Sequence, residues 1–230
     1  MIIGEMQAGL ARKLLGASSP PVYVGFNGVD EARLGQLLVL SPSLEKPSVV
    51  FIGHGEEGWR TYYKGLDLFM EVLSKVKAKL PSVEGLVVGR WTQREQERLK
   101  AQYPDAPVRF VGAVRQLETV LEGAGLYFHP GRGEAWGISV LEAMAAGVPA
   151  IVSEWTGAKE AVQKAWPQGV VPLDTDRMAE AILAYFALSP AERQAIGERS
   201  REIVRSQYTL AQATQRFQAI FWQAMADIGA

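Results

Sequence analysis

The chain is 230 residues long, 48% hydrophobic and 21% charged, the make-up of an ordinary globular protein with room for one sizeable domain plus appendages. Its 24 basic and 25 acidic side chains leave a net charge of -1, which argues against nucleic acid as a partner, because binding to a phosphate backbone is driven by excess Lys and Arg. The absence of cysteine excludes disulfides, thiolate zinc sites and a cysteine nucleophile.

The opening MIIGEMQAGLARKLLG carries Glu5 early and lacks the long apolar core of a secretory signal, so it reads as a short amphipathic helix. Short apolar runs closed by Gly or a polar residue then predict strands at 21–25, 48–53, 85–89, 108–112, 126–129 and 150–153. Helical patterns alternate with them: 65–80, where Leu66, Phe69, Met70, Leu73 and Val76 share one face, then 92–102, 116–122, 137–146 and 158–166. After Asp174 the strands stop, and helices are expected at 176–187, 191–207 and 210–228. No apolar run approaches the roughly 20 residues of a membrane helix, and a cytoplasmic location is expected. The alternation predicts an α/β fold: a Rossmann-like parallel sheet of about six strands with helices on both faces and a C-terminal helical extension. Ligands of such sheets bind outside the carboxyl ends of the strands.

One strand end, VFIGHGEEGW, contains G-x-G-x-x-G at Gly53, Gly55 and Gly58. A dinucleotide loop needs its last glycine inside a helix whose free N–H groups hold the pyrophosphate. Here the carboxylates of Glu56 and Glu57 would repel that group, and residues 59–63 do not continue as an amphipathic helix. The next strand closes on Gly89 and Arg90 where an acid for the ribose is needed. The stretch therefore reads as a flexible turn at a strand end.

The densest cluster of chemistry is FHPGRGEAWGISVLEAMAAGVPAIVS, residues 128–153. Glu134 lies in a Gly-rich loop just before a helix, and Glu142 follows eight positions later inside it. At 100° per residue Glu142 falls about 40° from Ile138, beside the apolar stripe, where a carboxylate needs a hydrogen-bond donor; sugar hydroxyls are such donors. The helix opens at Trp136-Gly137-Ile138, where backbone N–H groups and the helix dipole favour an anion.

This segment resembles the signature of the retaining, GT-B-fold glycosyltransferases of family 4. The likeness extends to Asn27-Gly-Val-Asp30, Lys64-Gly65, the run 110–114 and Thr156-Gly-Ala-Lys-Glu160, and covers residues 22–223. It implies a retaining, hexosyltransferase-like enzyme using a nucleoside-diphosphate sugar, with UDP or GDP as the nucleotide. Glu134 and Lys64 become the catalytic candidates. Glu134 would meet hydroxyls of the donor sugar, Glu142 those of the ribose, and Lys64 the diphosphate, helped by the backbone of Ala135, Trp136, Gly137 and Ile138. Gly53 would let its loop approach the phosphates, and Arg90 and Val114 would border the base. Where the family places an Arg, this chain has His54, with Arg60 on the same loop as the candidate replacement.

The same likeness implies that residues 1–20 are an N-terminal helix or the remnant of a preceding domain, 21–205 the donor-binding domain, and 206–230 a helix crossing back to the other half. The acceptor-binding domain is then missing from this chain or supplied by a partner subunit, and peripheral membrane association is expected only through it. The apolar face of the last helix, Phe217, Ile220, Phe221 and Met225, would lack a cover or find another partner. No cofactor and no metal are expected: Asp174-Thr-Asp176 imitates a D-x-D metal motif but precedes a helix, where Asp is a favoured cap. His129, before Pro130, reads as a strand-end residue, and Trp136 and Trp155 are open between packing and sugar contact. Two readings of function stand: the donor half of a glycosyltransferase, or a nucleotide-sugar-binding module without transfer activity.

Overall fold

The computed structural model describes residues 2–16 and 20–229. In chain order the elements are β1 (Ile2–Ile3), α1 (Glu5–Leu15), β2 (Val24–Gly25), α2 (Glu31–Leu38), β3 (Ser48–Ile52), α3 (Trp59–Lys64), α4 (Leu66–Lys79), β4 (Glu84–Val88), α5 (Gln93–Gln102), β5 (Val108–Gly112) and α6 (Leu117–Glu122). They continue with β6 (Leu126–His129), α7 (Ile138–Ala145), β7 (Ala150–Ser153), α8 (Lys159–Ala165), β8 (Val170–Val171), α9 (Thr175–Ala187), α10 (Pro190–Gln207) and α11 (Leu210–Gly229).

The main sheet has six parallel strands in the order β5-β4-β3-β6-β7-β8. Its central strands are unbroken apolar runs because both faces are covered: β6 and β7 are buried at every position. On one face α4 and α9 press Phe69, Met70, Leu73 and Ile182 onto Phe51 and Phe128. On the other, Leu37 of α2 and Leu141, Met144 and Ala145 of α7 close over Val50, Tyr127 and Val152. The chain leaves β3 outward through β4 and β5, then returns to lay β6 on the opposite side of β3. That reversal makes the carboxyl ends of β3 and β6 the switch point at which an open α/β sheet forms a crevice.

Several features differ from the expectations. The run 21–25 is not a strand of the main sheet; its last two residues pair with β1 in a separate two-stranded parallel sheet spanned by α1. The sixth strand is instead β8, two residues long and followed at once by Pro172, too brief to show a period. Residues 59–64 do form a helix, α3, which buries only Thr61 and so has no amphipathic stripe to read. The loop before it is also pinned: Gly53 N–H bonds Val88 O, and the N–H groups of Gly55 and Glu56 reach Arg90 O. A further helix, α2, was absent from the expected elements; Asp30 caps it by accepting from the N–H groups of Ala32 and Arg33. On α11, Ile220 is buried, while Phe217, Phe221 and Met225 of the expected apolar face are about half exposed.

Candidate active site

The crevice is built by interlocking α3 with the loop after β6. Gly65 closes α3 at φ +74, and a Cβ there would stand 2.1 Å from Pro130 O, so the joint between α3 and α4 lies directly on the loop. Arg132 N–H bonds Tyr63 O at 2.9 Å. The Arg132 guanidinium forks onto Asp67 at 2.8 Å through both oxygens, donates to Tyr62 O and stacks 4.1 Å over the Tyr62 ring. The Tyr63 hydroxyl donates to Gly133 O. From the other side Glu95, 3% exposed, accepts from the Thr61 hydroxyl and from Arg98. Held from two directions, α3 presents Lys64, whose Nζ donates to Oε2 of Glu134.

Electrostatics follow from this burial. The Glu134 side chain is 13% exposed; desolvation alone would raise its pKa, but the hydrogen bond and charge of Lys64 and a bond from Trp136 N–H outweigh it and hold it below the ordinary value. His129 is fully enclosed, which depresses its pKa from 6.5 to about 4 against the opposing pull of Glu134. It is therefore neutral near pH 7, and its charge adds little at Glu134 although Nε2 lies 3.7 Å from Oε2. Neither ring nitrogen has a hydrogen-bond partner, and the ring stacks with Phe51 and Tyr127. The strand-end reading of His129 agrees with this geometry.

Glu134 leads directly into α7, whose N-cap is Gly137 at φ 92 with no side chain to satisfy the first N–H groups. The backbone ahead of it is steadied by Gly157 N–H on Glu134 O and Ala158 N–H on Trp136 O. Trp136 itself is packing: it is 3% exposed, lies near Phe26 and Tyr208, and donates from Nε1 to Asn27 O at 2.8 Å. Trp155 remains partly exposed at the end of β7.

Just over one turn into α7, Glu142 accepts from Arg33 Nε at 3.0 Å through Oε1. Both acids act on the buried Tyr127 hydroxyl, which bonds Ser139 Oγ at 2.9 Å and whose pKa is pushed above its usual range chiefly by burial, then by Glu134 and Glu142. Glu134, Lys64, the start of α7 and Glu142 thus share one side of the sheet edge. Arg33 was not among the expected site residues. It sits on α2, whose Asp30 cap and apolar positions Leu34 and Leu37 mark a helix but give Arg33 no role, and its carboxylate partners are 85 and 109 residues away.

The β3 and β4 loops form the adjoining wall. Gly89, at φ +132, packs so tightly that a Cβ would lie 1.8 Å from Gly53 O. His54 turns Nδ1 onto Arg90 N–H at 3.0 Å, so that nitrogen is an acceptor engaged by the protein. Arg90 lines a cavity of about 360 Å³ with Glu56, Gly89, Trp91, Gly112 and Ala113. Val114 is half-buried against the core beyond it. Arg60 stays exposed on α3, close enough to Tyr63 for its charge to act there. Among the described residues, neither Arg60 nor Arg90 pairs with a carboxylate. Asp174 is a cap, accepting from Asp176 N–H at 3.0 Å and Arg177 N–H at 2.9 Å, while Asp176 pairs with Lys75.

The family model described as "Glycosyl transferases group 1" matches residues 46–187. The chain belongs to that family. A phosphatidyl-myo-inositol mannosyltransferase of Mycolicibacterium smegmatis is 28% identical to this chain over 194 residues, covering 81% of this chain and 48% of the relative. One of Mycobacterium leprae is 30% identical over 192 residues, covering 80% and 50%. The chain therefore spans about half the length of these curated relatives. In fold it is similar to a solved glycosyltransferase of Rickettsia africae, with a TM-score of 0.77 at 18% identity over 97% of this chain and 63% of that one. It is likewise similar to WaaG, a glycosyltransferase involved in lipopolysaccharide biosynthesis, with a TM-score of 0.73 at 21% identity over 96% and 61%. The architecture is that of one Rossmann-like half of a GT-B fold. No helix among the described residues is long and apolar enough to cross a membrane.

Proposed function

We propose that this chain supplies the donor site of a retaining glycosyltransferase, binding a nucleoside-diphosphate sugar at the carboxyl ends of β3 and β6. The observation that carries the reading is the pairing of Lys64 with Glu134 at the sheet's switch point, beside a helix start, with Glu142 further along the same helix. A sugar diphosphate offers partners to each group. Its phosphates are matched by Lys64 and the first N–H groups of α7, and its hydroxyls by the two carboxylates.

Cleavage of the bond from the sugar's anomeric carbon to the diphosphate oxygen leaves negative charge on the phosphate and positive charge on the sugar. A fixed cation and a helix dipole aimed at the phosphate stabilise the first. Glu134, kept ionised by Lys64, orients the sugar, and the acceptor hydroxyl then bonds that carbon on the face the diphosphate left and passes its proton to the departing phosphate oxygen. The scheme draws on no metal. His54 meets the diphosphate less strongly than an Arg, leaving Arg60 to supply a second cation. The acceptor is brought by a further domain or a partner subunit.

The names of the relatives make GDP-mannose the first donor to test; one further relative is named a GDP-mannose-dependent mannosyltransferase. A thermal-shift series with GDP-mannose, UDP-glucose and UDP-N-acetylglucosamine is the direct experiment, because a ligand at 100 times its Kd stabilises the fold by about 2.7 kcal/mol. Failure of every nucleotide sugar to raise the melting temperature would sink the reading. A second reading is a nucleotide-sugar-binding module without transfer activity. Transfer assays with and without an acceptor-binding partner separate the two.

A further inference from the structure

Arg33 stands at a junction that no motif announces. Its Nε donates to Oε1 of Glu142 at 3.0 Å, and its Nη1 reaches Glu118 on α6 and, at 3.4 Å, Gln36 on its own helix. All three charged side chains are about one-fifth exposed, at 23% for Arg33, 19% for Glu142 and 22% for Glu118. Asp30 fixes the start of α2 by accepting from Arg33 N–H at 3.2 Å, and the segment before it is held by Trp136 Nε1 on Asn27 O and by Val29 N–H on Tyr208 O. The arginine is therefore carried on a backbone tied down on both sides.

Two carboxylates share one guanidinium, so the cluster keeps a net charge of about -1. It attracts donors and repels anions. Only one oxygen of Glu142 is used: Oε2 accepts no hydrogen bond from the described residues. A guanidinium that grips one oxygen fixes the plane of the carboxylate and leaves the second oxygen as an acceptor of set direction. Glu118, in turn, belongs to α6, the helix that follows Val114.

We propose that Arg33 is a positioning residue for nucleotide recognition, aiming Glu142 Oε2 at the vicinal hydroxyls of a ribose. The inference rests on the donor-site reading above and deepens it. A purely structural ion pair would support folding without distinguishing a ribose from a sugar that lacks its hydroxyls, and that distinction is the readout.

UDP and GDP are titrated calorimetrically into the full chain alongside their 2′,3′-dideoxy counterparts, with thermal unfolding followed in parallel. The wild-type chain is expected to favour the ribose form of the nucleotide it binds by roughly tenfold, the worth of one charge-assisted hydrogen bond. Arg33→Gln should bring the ribose and dideoxy affinities together while leaving the dideoxy affinity unchanged. Arg33→Lys, which keeps the charge but loses the fork that spans two acids, should fall between. If neither UDP nor GDP binds the wild-type chain, the donor-site reading fails and this inference with it. If the wild type distinguishes ribose and both variants do so equally, the role of Arg33 alone is overturned. Should Arg33→Gln not fold, the ratio measured for Arg33→Lys decides on its own.

Discussion

Lys64 and Glu134, 70 residues apart in sequence, satisfy each other at the carboxyl edge of the sheet, each less than one-fifth exposed. Removing the cation leaves an ionised carboxylate with little water around it. Lys64→Ala is expected to cost about 1–3 kcal/mol in urea denaturation, and Glu134→Gln in the same background should recover part of that loss. The same Lys64→Ala change should weaken binding of GDP much more than binding of guanosine. Unchanged denaturation midpoints would show that the pair does not stabilise the fold.

Acid stability should carry two separate signatures. His129 has its pKa depressed by burial from 6.5 to about 4, so between those values the unfolded chain binds a proton that the folded chain refuses, and stability falls as pH drops through that window. Glu134 has a folded pKa below its ordinary 4.5; its contribution is present above that value and is lost as pH falls further. His129→Phe, which retains stacking with Phe51 and Tyr127, should flatten the upper slope, and Glu134→Gln the lower one. Urea midpoints at pH 7, 5.5, about 4 and about 3 measure both.

Gly65 sets the geometry that aims Lys64. Its φ of +74 is left-handed, and a Cβ would meet the Pro130 carbonyl at 2.1 Å, a backbone atom that cannot swing aside. Gly65→Ala should therefore destabilise the chain by several kcal/mol, more than the roughly 1 kcal/mol of strain alone, and lower GDP affinity along with the melting temperature. A substitution tolerated with no thermal shift would mean that α3 and the β6 loop are less closely coupled than they stand here.

The segment from Phe128 to Ser153 was legible because its chemistry is local: strand, Gly-rich loop and helix follow one another, and the two acids keep a fixed spacing on that helix. The face of α4 was legible for the same reason, since all five residues expected inward are buried. What escaped depends on contacts between distant parts of the chain. The helix α3 owes its shape to Glu95 and Arg132, β8 is too short to carry a pattern, and the bond from Arg33 to Glu142 exists only once α2 has packed on α7. The orientation of His54 likewise follows from Arg90 N–H, a group any residue but proline would offer.

Asp174 offers the plainest contrast between a motif and its structural use. Its carboxylate accepts from the N–H groups of Asp176 and Arg177, satisfying the start of α9, while Asp176 turns away to Lys75 on α4. A pair of acids binding a metal through substrate phosphates would have to point into the crevice, and these two are committed elsewhere. Asp174→Ala should then cost about 1 kcal/mol of stability, the usual worth of an N-cap, and leave nucleotide affinity unchanged with or without EDTA. Asp174→Asn, which can still accept from the same two N–H groups, should restore the stability. A fall in GDP binding with Asp174→Asn, without a change in melting temperature, would overturn the capping role and return the acid to ligand binding.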